Sequence, residues 1–341
     1  MILFRADGNK DIGSGHVMRC LSIADALNDI GVKSVFVTAD SSMSGVIEAR
    51  GYSCQILHSD YKDMNGELDV LLRLTSFATA KGIVVDSYYA TDKYLNILSE
   101  EKKTAYIDDY PVKRPVHVII NYNVYADKRE YSNGIASPGQ KLILGPKFAP
   151  LRREFQNLEY SGIRNEVKEI LFLAGGSDPE HAALNFVREL INHEDSFHYV
   201  IVVGSMSGDF QAIQDISEKT CGRIEVRSNV TDMKGLMCAS DLAISAAGST
   251  LYELCACRVP VVNYVLADNQ RLIAEGFADK GAMIFMGDVR KDPGFYSKLY
   301  DCIIDLSKDE ERRTGLSEKA GELVDGNGAK RLIQELNGVL F

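Results

Sequence analysis

Asp241-Leu242-Ala243-Ile244-Ser245-Ala246-Ala247-Gly248-Ser249-Thr250-Leu251-Tyr252-Glu253-Leu254 reads as a strand, a turn of small residues and the helix that the turn opens. Asp241–Ser245 is a short apolar run of strand length. Leu251–Cys257 continues with helical spacing. A strand that turns straight into a helix is half of a crossover unit in a parallel sheet. Thr250 and Glu253 are three apart and share a helix face. The helix start suits a diphosphate, and a carboxylate one turn along suits two ribose hydroxyls. A capping box, with Ser249 or Thr250 as cap and Glu253 returning to the backbone, explains the same residues. The local pattern leaves both readings open.

Outward from this stretch the same rhythm recurs twice along 341 residues. Ile2–Arg5, Ser34–Thr38, Gly82–Asp86, Lys103–Ile107 and Val116–Asn121 read as one set of strands. Val17–Asn28 and Tyr94–Glu101 are helical segments between them. Glu169–Ala174, His198–Val203, Arg223–Val226, Asp241–Ser245 and Val259–Val265 read as a second set, with helices at His181–Ile191, Leu251–Cys257 and Gln270–Asp279. The expectation is an α/β protein of two Rossmann-like domains: residues 1–155, residues 165–325, and a closing helix within 326–341. Gly145-Pro146-Lys147-Phe148-Ala149-Pro150 reads as the end of the first unit and Glu159–Lys168 as a linker. Open parallel sheets bind ligands at the carboxyl ends of their strands. Two such sheets facing across a cleft would place the site between them.

Composition bounds the partner. Hydrophobic residues make up 45% and charged residues 25%, as in a soluble globular protein. A net charge of -10 argues against nucleic acid, yet helix starts and turn amides still admit a small anion. No stretch has the length and apolarity of a membrane span. Arg5 and Asp7 follow Met1-Ile2-Leu3-Phe4 too soon for a signal peptide. Seven thinly spread cysteines read as reduced thiols, so the expected location is cytoplasmic.

Three further turns carry candidate chemistry. Gly13-Ser14-Gly15-His16 lies between the first strand and the first helix. Gly13 and Gly15 leave the backbone open to a ligand. A helix start disfavours imidazolium, which suits His16 to accept a proton; a glycine turn with a packed or capping histidine is the plainer reading. Gly175-Gly176-Ser177-Asp178 suits a phosphate at Gly176 and Ser177, or simply caps a helix through Ser177 or Asp178. Ala267-Asp268-Asn269-Gln270 offers neutral amides for hydroxyl or acetamido groups, or a cap from Asp268 or Asn269. Asp86-Ser87-Tyr88 and Asp108-Asp109-Tyr110 each follow a strand. The chain contains no D-x-D, and no histidine lies near Asp108-Asp109, so neither a metal nor another cofactor is expected.

Together these blocks resemble the UDP-2,4-diacetamido-2,4,6-trideoxy-β-L-altropyranose hydrolases of pseudaminic acid synthesis. The resemblance rests on Arg5-Ala6-Asp7, Gly13-x-Gly15-His16-x-Met18-Arg19, Asp86-Ser87-Tyr88, Ile107-Asp108-Asp109 and Gly145-Pro146-Lys147-Phe148-Ala149. It continues through Gly175-Gly176-Ser177-Asp178, Asp241-Leu242-Ala243-Ile244, Gly248-Ser249-Thr250-x-x-Glu253 and Asn269-Gln270. The resemblance implies a GT-B-like fold with UDP held mainly by the second domain. It implies His16 as the general base that activates water, Tyr88 near the sugar, and Asn269 and Gln270 near the sugar–phosphate junction. It also implies Thr250 and Glu253 on the nucleotide, with Val230 and Met233 beside the uracil. The expected reaction is metal-independent, inverting hydrolysis of a UDP-sugar to UDP and free sugar. A GT-B glycosyltransferase using the same nucleotide site is the alternative.

Overall fold

The computed structural model describes residues 1–132, 138–204 and 206–341. Its thirteen named strands are β1 (Ile2–Ala6), β2 (Ser34–Thr38), β3 (Ser53–Ile56), β4 (Gly82–Asp86), β5 (Lys103–Ile107), β6 (Val118–Asn121), β7 (Lys141–Leu144), β8 (Glu169–Leu173), β9 (His198–Val203), β10 (Ile224–Ser228), β11 (Leu242–Ala246), β12 (Val261–Val265) and β13 (Met283–Asp288). They form two sheets, ordered β3-β2-β1-β4-β5-β6-β7 and β10-β9-β8-β11-β12-β13. Every pairing in both sheets is parallel. Both orders are doubly wound, with the chain reversing direction beside the first strand of each sheet.

Contacts divide the chain into two compact units. One comprises Met1–Arg153 together with Gly326–Phe341, and the other Glu154–Asp325. In the first unit the helix Gly15–Asp29 buries Val17, Leu21, Ala24 and Leu27. The helix Gly328–Leu336 packs against it and against the turn Pro146–Phe148. In the second unit Ile170, Phe172, Ile201, Ile244 and Tyr264 from the sheet pack with Phe186, Leu299 and Ile303 from helices.

The central strands match the sequence expectation to within a few residues. Val116–Asn121 shortens to Val118–Asn121, and Arg223–Val226 shifts to Ile224–Ser228. Three strands escaped it: β3, β7 and β13, and each lies at a sheet edge. An edge strand pairs on one side only, so it need not be a continuous apolar run. Ser53-Cys54-Gln55-Ile56 is partly exposed throughout, and Lys141-Leu142-Ile143-Leu144 buries only Ile143 fully.

A buried charge cluster fixes the end of β1. Arg5 is wholly buried. Its guanidinium donates to both carboxylate oxygens of Glu67, at 2.6 and 2.8 Å, and to Asp7 at 2.5 Å. Tyr94 and Ser59 also donate to Glu67. Asp7 in turn accepts the Ala39 amide at 2.7 Å. A charge this deep is tolerable only because its donors and acceptors are matched, and removal of one partner costs about 3–5 kcal/mol.

Candidate functional site

In the first unit the chain reverses between β1 and β4, which are neighbours. The loop after β1 closes on itself: the Asn9 amide donates to the Gly13 carbonyl, and the Asn9 side chain accepts from Asp11 and Ile12. Gly13 has φ +71, a backbone region that favours glycine. Gly15 opens the helix Gly15–Asp29, and His16 is its second residue, 7% exposed. Asp86 ends β4 and is 1% exposed. The reversal of strand order thus brings together two residues far apart in sequence.

His16 Nδ1 lies 2.7 Å from Asp86 Oδ1. Arg19, one turn along the same helix, reaches both oxygens of Asp86 through Nη2 and Nε, each at 2.5 Å. Burial alone would push the Asp86 carboxyl up. The Arg19 guanidinium and His16 outweigh it and hold the group at about 2. An ionised carboxylate only accepts hydrogen bonds, so His16 Nδ1 carries the proton and donates. In the neutral tautomer that donates from Nδ1, the ring's lone pair sits on Nε2. That arrangement orients an imidazole for taking a proton from water.

Around this pair runs a second ring of contacts. Arg19 donates to the Tyr122 hydroxyl at 3.0 Å and lies 3.5 Å from Asp109. Asp109 accepts from the Tyr88 hydroxyl at 2.7 Å and from Asn123 at 2.9 Å. The Tyr88 ring stands edge-on to His16, with centroids 4.7 Å apart. Tyr88 is nevertheless 60% exposed, so most of its ring is open to a ligand. Asp108 turns away to Arg114 at 3.0 Å. The neighbouring carboxylates Asp108 and Asp109 serve two different cations. Among the described residues no group of three or more histidine, cysteine, aspartate or glutamate side chains is placed to hold a metal ion.

In the second unit the equivalent reversal lies between β8 and β11. Gly175-Gly176-Ser177 leaves β8 as an exposed turn, with Gly175 at φ +86. Asp178 caps the helix Ala182–Leu190: its carboxylate accepts the Ala182 and Ala183 amides at 2.8 and 2.9 Å. The capping role therefore falls to Asp178, while Ser177 stays exposed. Gly204, just past β9, seats this turn. A Cβ there would lie 2.2 Å from the Gly176 carbonyl oxygen and 2.3 Å from that of Gly175.

After β11, Ser249 is exposed and makes no side-chain cap to the helix Thr250–Ala256. Thr250 begins this helix, and Glu253 is half-buried one turn along. Val230 lines a groove with Arg227, Ser228, Asn229 and Leu236 beside the helix Met233–Ala239, which Met233 begins. After β12, Asn269 is exposed. The side-chain oxygen of Gln270 accepts the Leu266 amide at 2.8 Å, so Gln270 shapes its own loop. Neither Asp268 nor Asn269 caps the helix Arg271–Asp279, whose N-cap is Gln270 without a side-chain bond. Arg19 and Asp86 lie within the sequence motifs, yet the sequence alone does not show that they meet. The i, i+3 spacing of His16 and Arg19 was the available signal for a shared face.

No family model matches the chain. A protein of Methanocaldococcus jannaschii, described as uncharacterized, is 26% identical over 274 residues, or 77% of this chain and 55% of its own length. The chain thus spans about half of that relative. Spore coat polysaccharide biosynthesis protein SpsG of Bacillus subtilis is 25% identical over 96% of this chain and 95% of its own. The UDP-2,4-diacetamido-2,4,6-trideoxy-β-L-altropyranose hydrolase of Campylobacter jejuni is 22% identical over 82% and 97%. Among solved structures, MurG of Acinetobacter baumannii aligns with TM-score 0.69 at 15% identity, covering 98% of both chains. MnaA of S. aureus, solved with UDP, aligns with TM-score 0.66 at 12% identity over 98% of this chain and 95% of its own. The fold is GT-B-like: two α/β domains, each built on a parallel sheet.

Proposed function

We propose that this protein hydrolyses a UDP-sugar, UDP-2,4-diacetamido-2,4,6-trideoxy-β-L-altropyranose, to UDP and free sugar. The observation that carries the reading is the Asp86–His16 contact of 2.7 Å, with Asp86 ionised and Nε2 of His16 left as the acceptor. His16 is the general base: it takes a proton from water as the oxygen attacks the anomeric carbon. The sugar–oxygen bond to UDP breaks on the opposite face, which inverts the centre. UDP leaves as a stabilised anion, so no general acid is required. No metal takes part in this scheme.

The second unit holds the nucleotide. Gly176, Ser177, Ser249 and Thr250 meet the diphosphate at turns and a helix start, where amide groups stabilise developing charge. Glu253 accepts from the ribose hydroxyls, and Val230 and Met233 flank the uracil. Asn269 and Gln270 lie by the sugar–phosphate junction. In the first unit Tyr88 meets the sugar, while Gly13 and Gly15 let it approach the backbone. The Campylobacter relative, matched over nearly its full length, supports the sugar assignment.

The test uses oxygen-18 water and no acceptor. Label is expected in the released sugar and none in UDP, with the inverted anomer seen by early proton NMR. Label in the UDP phosphate would place the attack at phosphorus and overturn the mechanism. UDP release only on addition of an acceptor would make the protein a glycosyltransferase.

A further inference from the structure

Asp86 has more partners than a histidine-orienting carboxylate needs. His16 donates to Oδ1, and Arg19 spans both oxygens at 2.5 Å. The same guanidinium lies 3.1 Å from His16 Nδ1 and is only 14% exposed. An aspartate–histidine pair buried alone has a defect as a base. The carboxylate needs a nearby positive charge, and the imidazolium is the nearest group able to supply one. Such a histidine would hold its proton when it should be accepting one.

We propose that Arg19 is a positioning residue of the base, supplying the counter-charge of Asp86 so that His16 remains neutral where it must accept a proton. This deepens the hydrolase reading and rests on His16 being its base. The groups facing His16 fit the assignment. On its own helix are Arg19 and Cys20, the thiol lying 3.7 Å from Asp86 Oδ2. Asp86 and Tyr88 come from β4 and the turn after it, and Tyr88 is held by Asp109. Tyr122 follows β6 and accepts from Arg19. Asp109 is 3.5 Å from Arg19 and already takes bonds from Tyr88 and Asn123. The pair of oxygens on Asp86 is therefore matched chiefly by Arg19. Loss of that cation leaves His16 as the remaining group able to balance Asp86, which favours its protonated form.

The experiment is a proton–nitrogen NMR titration of the His16 ring in the full chain without substrate, beside a kcat–pH profile. In Arg19→Gln the His16 midpoint is expected to rise by about one pH unit. Its kcat should fall a few-fold at neutral pH, by up to about ten-fold on the acid side of the midpoint, and recover at pH 9, with KM little changed. Arg19→Lys, which keeps the charge, should titrate near the wild type. A merely structural role would lower kcat equally at all pH values and leave the midpoint in place, and that result overturns the proposal. Should Arg19→Gln fail to fold, Asp86→Asn is compared with Asp86→Asn/Arg19→Gln, where no buried carboxylate is stranded. The double variant should titrate at higher pH than the single one; equal midpoints refute the charge role. The NMR arm reads Arg19 even if the wild type hydrolyses no UDP-sugar, so failure of the reaction and failure of this inference are separable.

Discussion

A histidine that takes a proton from water is tested by turnover, not by affinity. His16→Ala should bind UDP within a few-fold of the wild type and lose about 100- to 10,000-fold in kcat. Calorimetry and a UDP-release assay on protein of unchanged thermal stability check this, and near-normal turnover would dismiss His16 as the base. Glu253 has the opposite signature. It sits one turn beyond Thr250 at a helix start, so Glu253→Ala should raise the dissociation constants of UDP and UDP-sugar together, by about ten-fold or more. Wild-type protein that binds 2′,3′-dideoxy-UDP as tightly as UDP would remove the ribose contact. The place of His16 at a helix start was legible in the sequence, because glycines followed by an apolar helical run mark it locally. Its partner was not. Asp86 lies seventy positions away, and only the parallel pairing of β1 with β4 brings the two together.

At the level of elements, turns decide what the strands present. Gly204 shows this for the second unit, because any Cβ there drives into the carbonyl oxygens of Gly175 and Gly176. Backbone atoms cannot step aside as a flexible side chain can. Gly204→Ala should therefore weaken UDP binding while leaving the His16 titration in the first unit unchanged, and it should lower thermal stability. Unchanged UDP affinity would mean that the turn after β8 takes no part in nucleotide binding. Sequence reading succeeded best for strands with neighbours on both sides, such as β1, β8 and β11, whose burial favours mainly apolar runs, with Arg5 of β1 admitted by its matched partners Glu67 and Asp7. It failed at β3 and β7, where partial exposure admits Ser53, Gln55 and Lys141, and it also passed over β13, although Met283-Ile284-Phe285-Met286 is an apolar run. The capping question after β8 could not be decided from residue types either. Ser177 and Asp178 are both good caps, and only the geometry gives the bonds to Asp178.

Across the whole molecule, one strand order is used twice, with the first sheet extended by β7. Each unit consequently carries candidate residues beside its own reversal of strand order: Gly13, Gly15 and His16 after β1, and Gly176, Ser177, Ser249 and Thr250 after β8 and β11. The first unit is also discontinuous in sequence, since Gly326–Phe341 belongs to it. The helix Gly328–Leu336 buries Leu332, Ile333 and Leu336. At about 1.5–3 kcal/mol each, these three side chains rival the 5–15 kcal/mol that usually holds a domain together. A chain ending at Asp325 should thus lose its first unit selectively. Limited proteolysis is expected to cut within residues 1–153 well before residues 154–325. Equal resistance of both units would show that the closing helix is dispensable.

The helix that completes the first unit is encoded after everything in the second. On the ribosome, Glu154–Asp325 has all of its own residues before the first unit has its last helix. The apolar face of Gly15–Asp29 must wait, uncovered by its partner, through the synthesis of the entire second unit. Folding during synthesis therefore runs against the usual order, in which the N-terminal domain finishes first. The protein's most exposed moment falls late in translation, when a chaperone that shields apolar helices would have the most to protect.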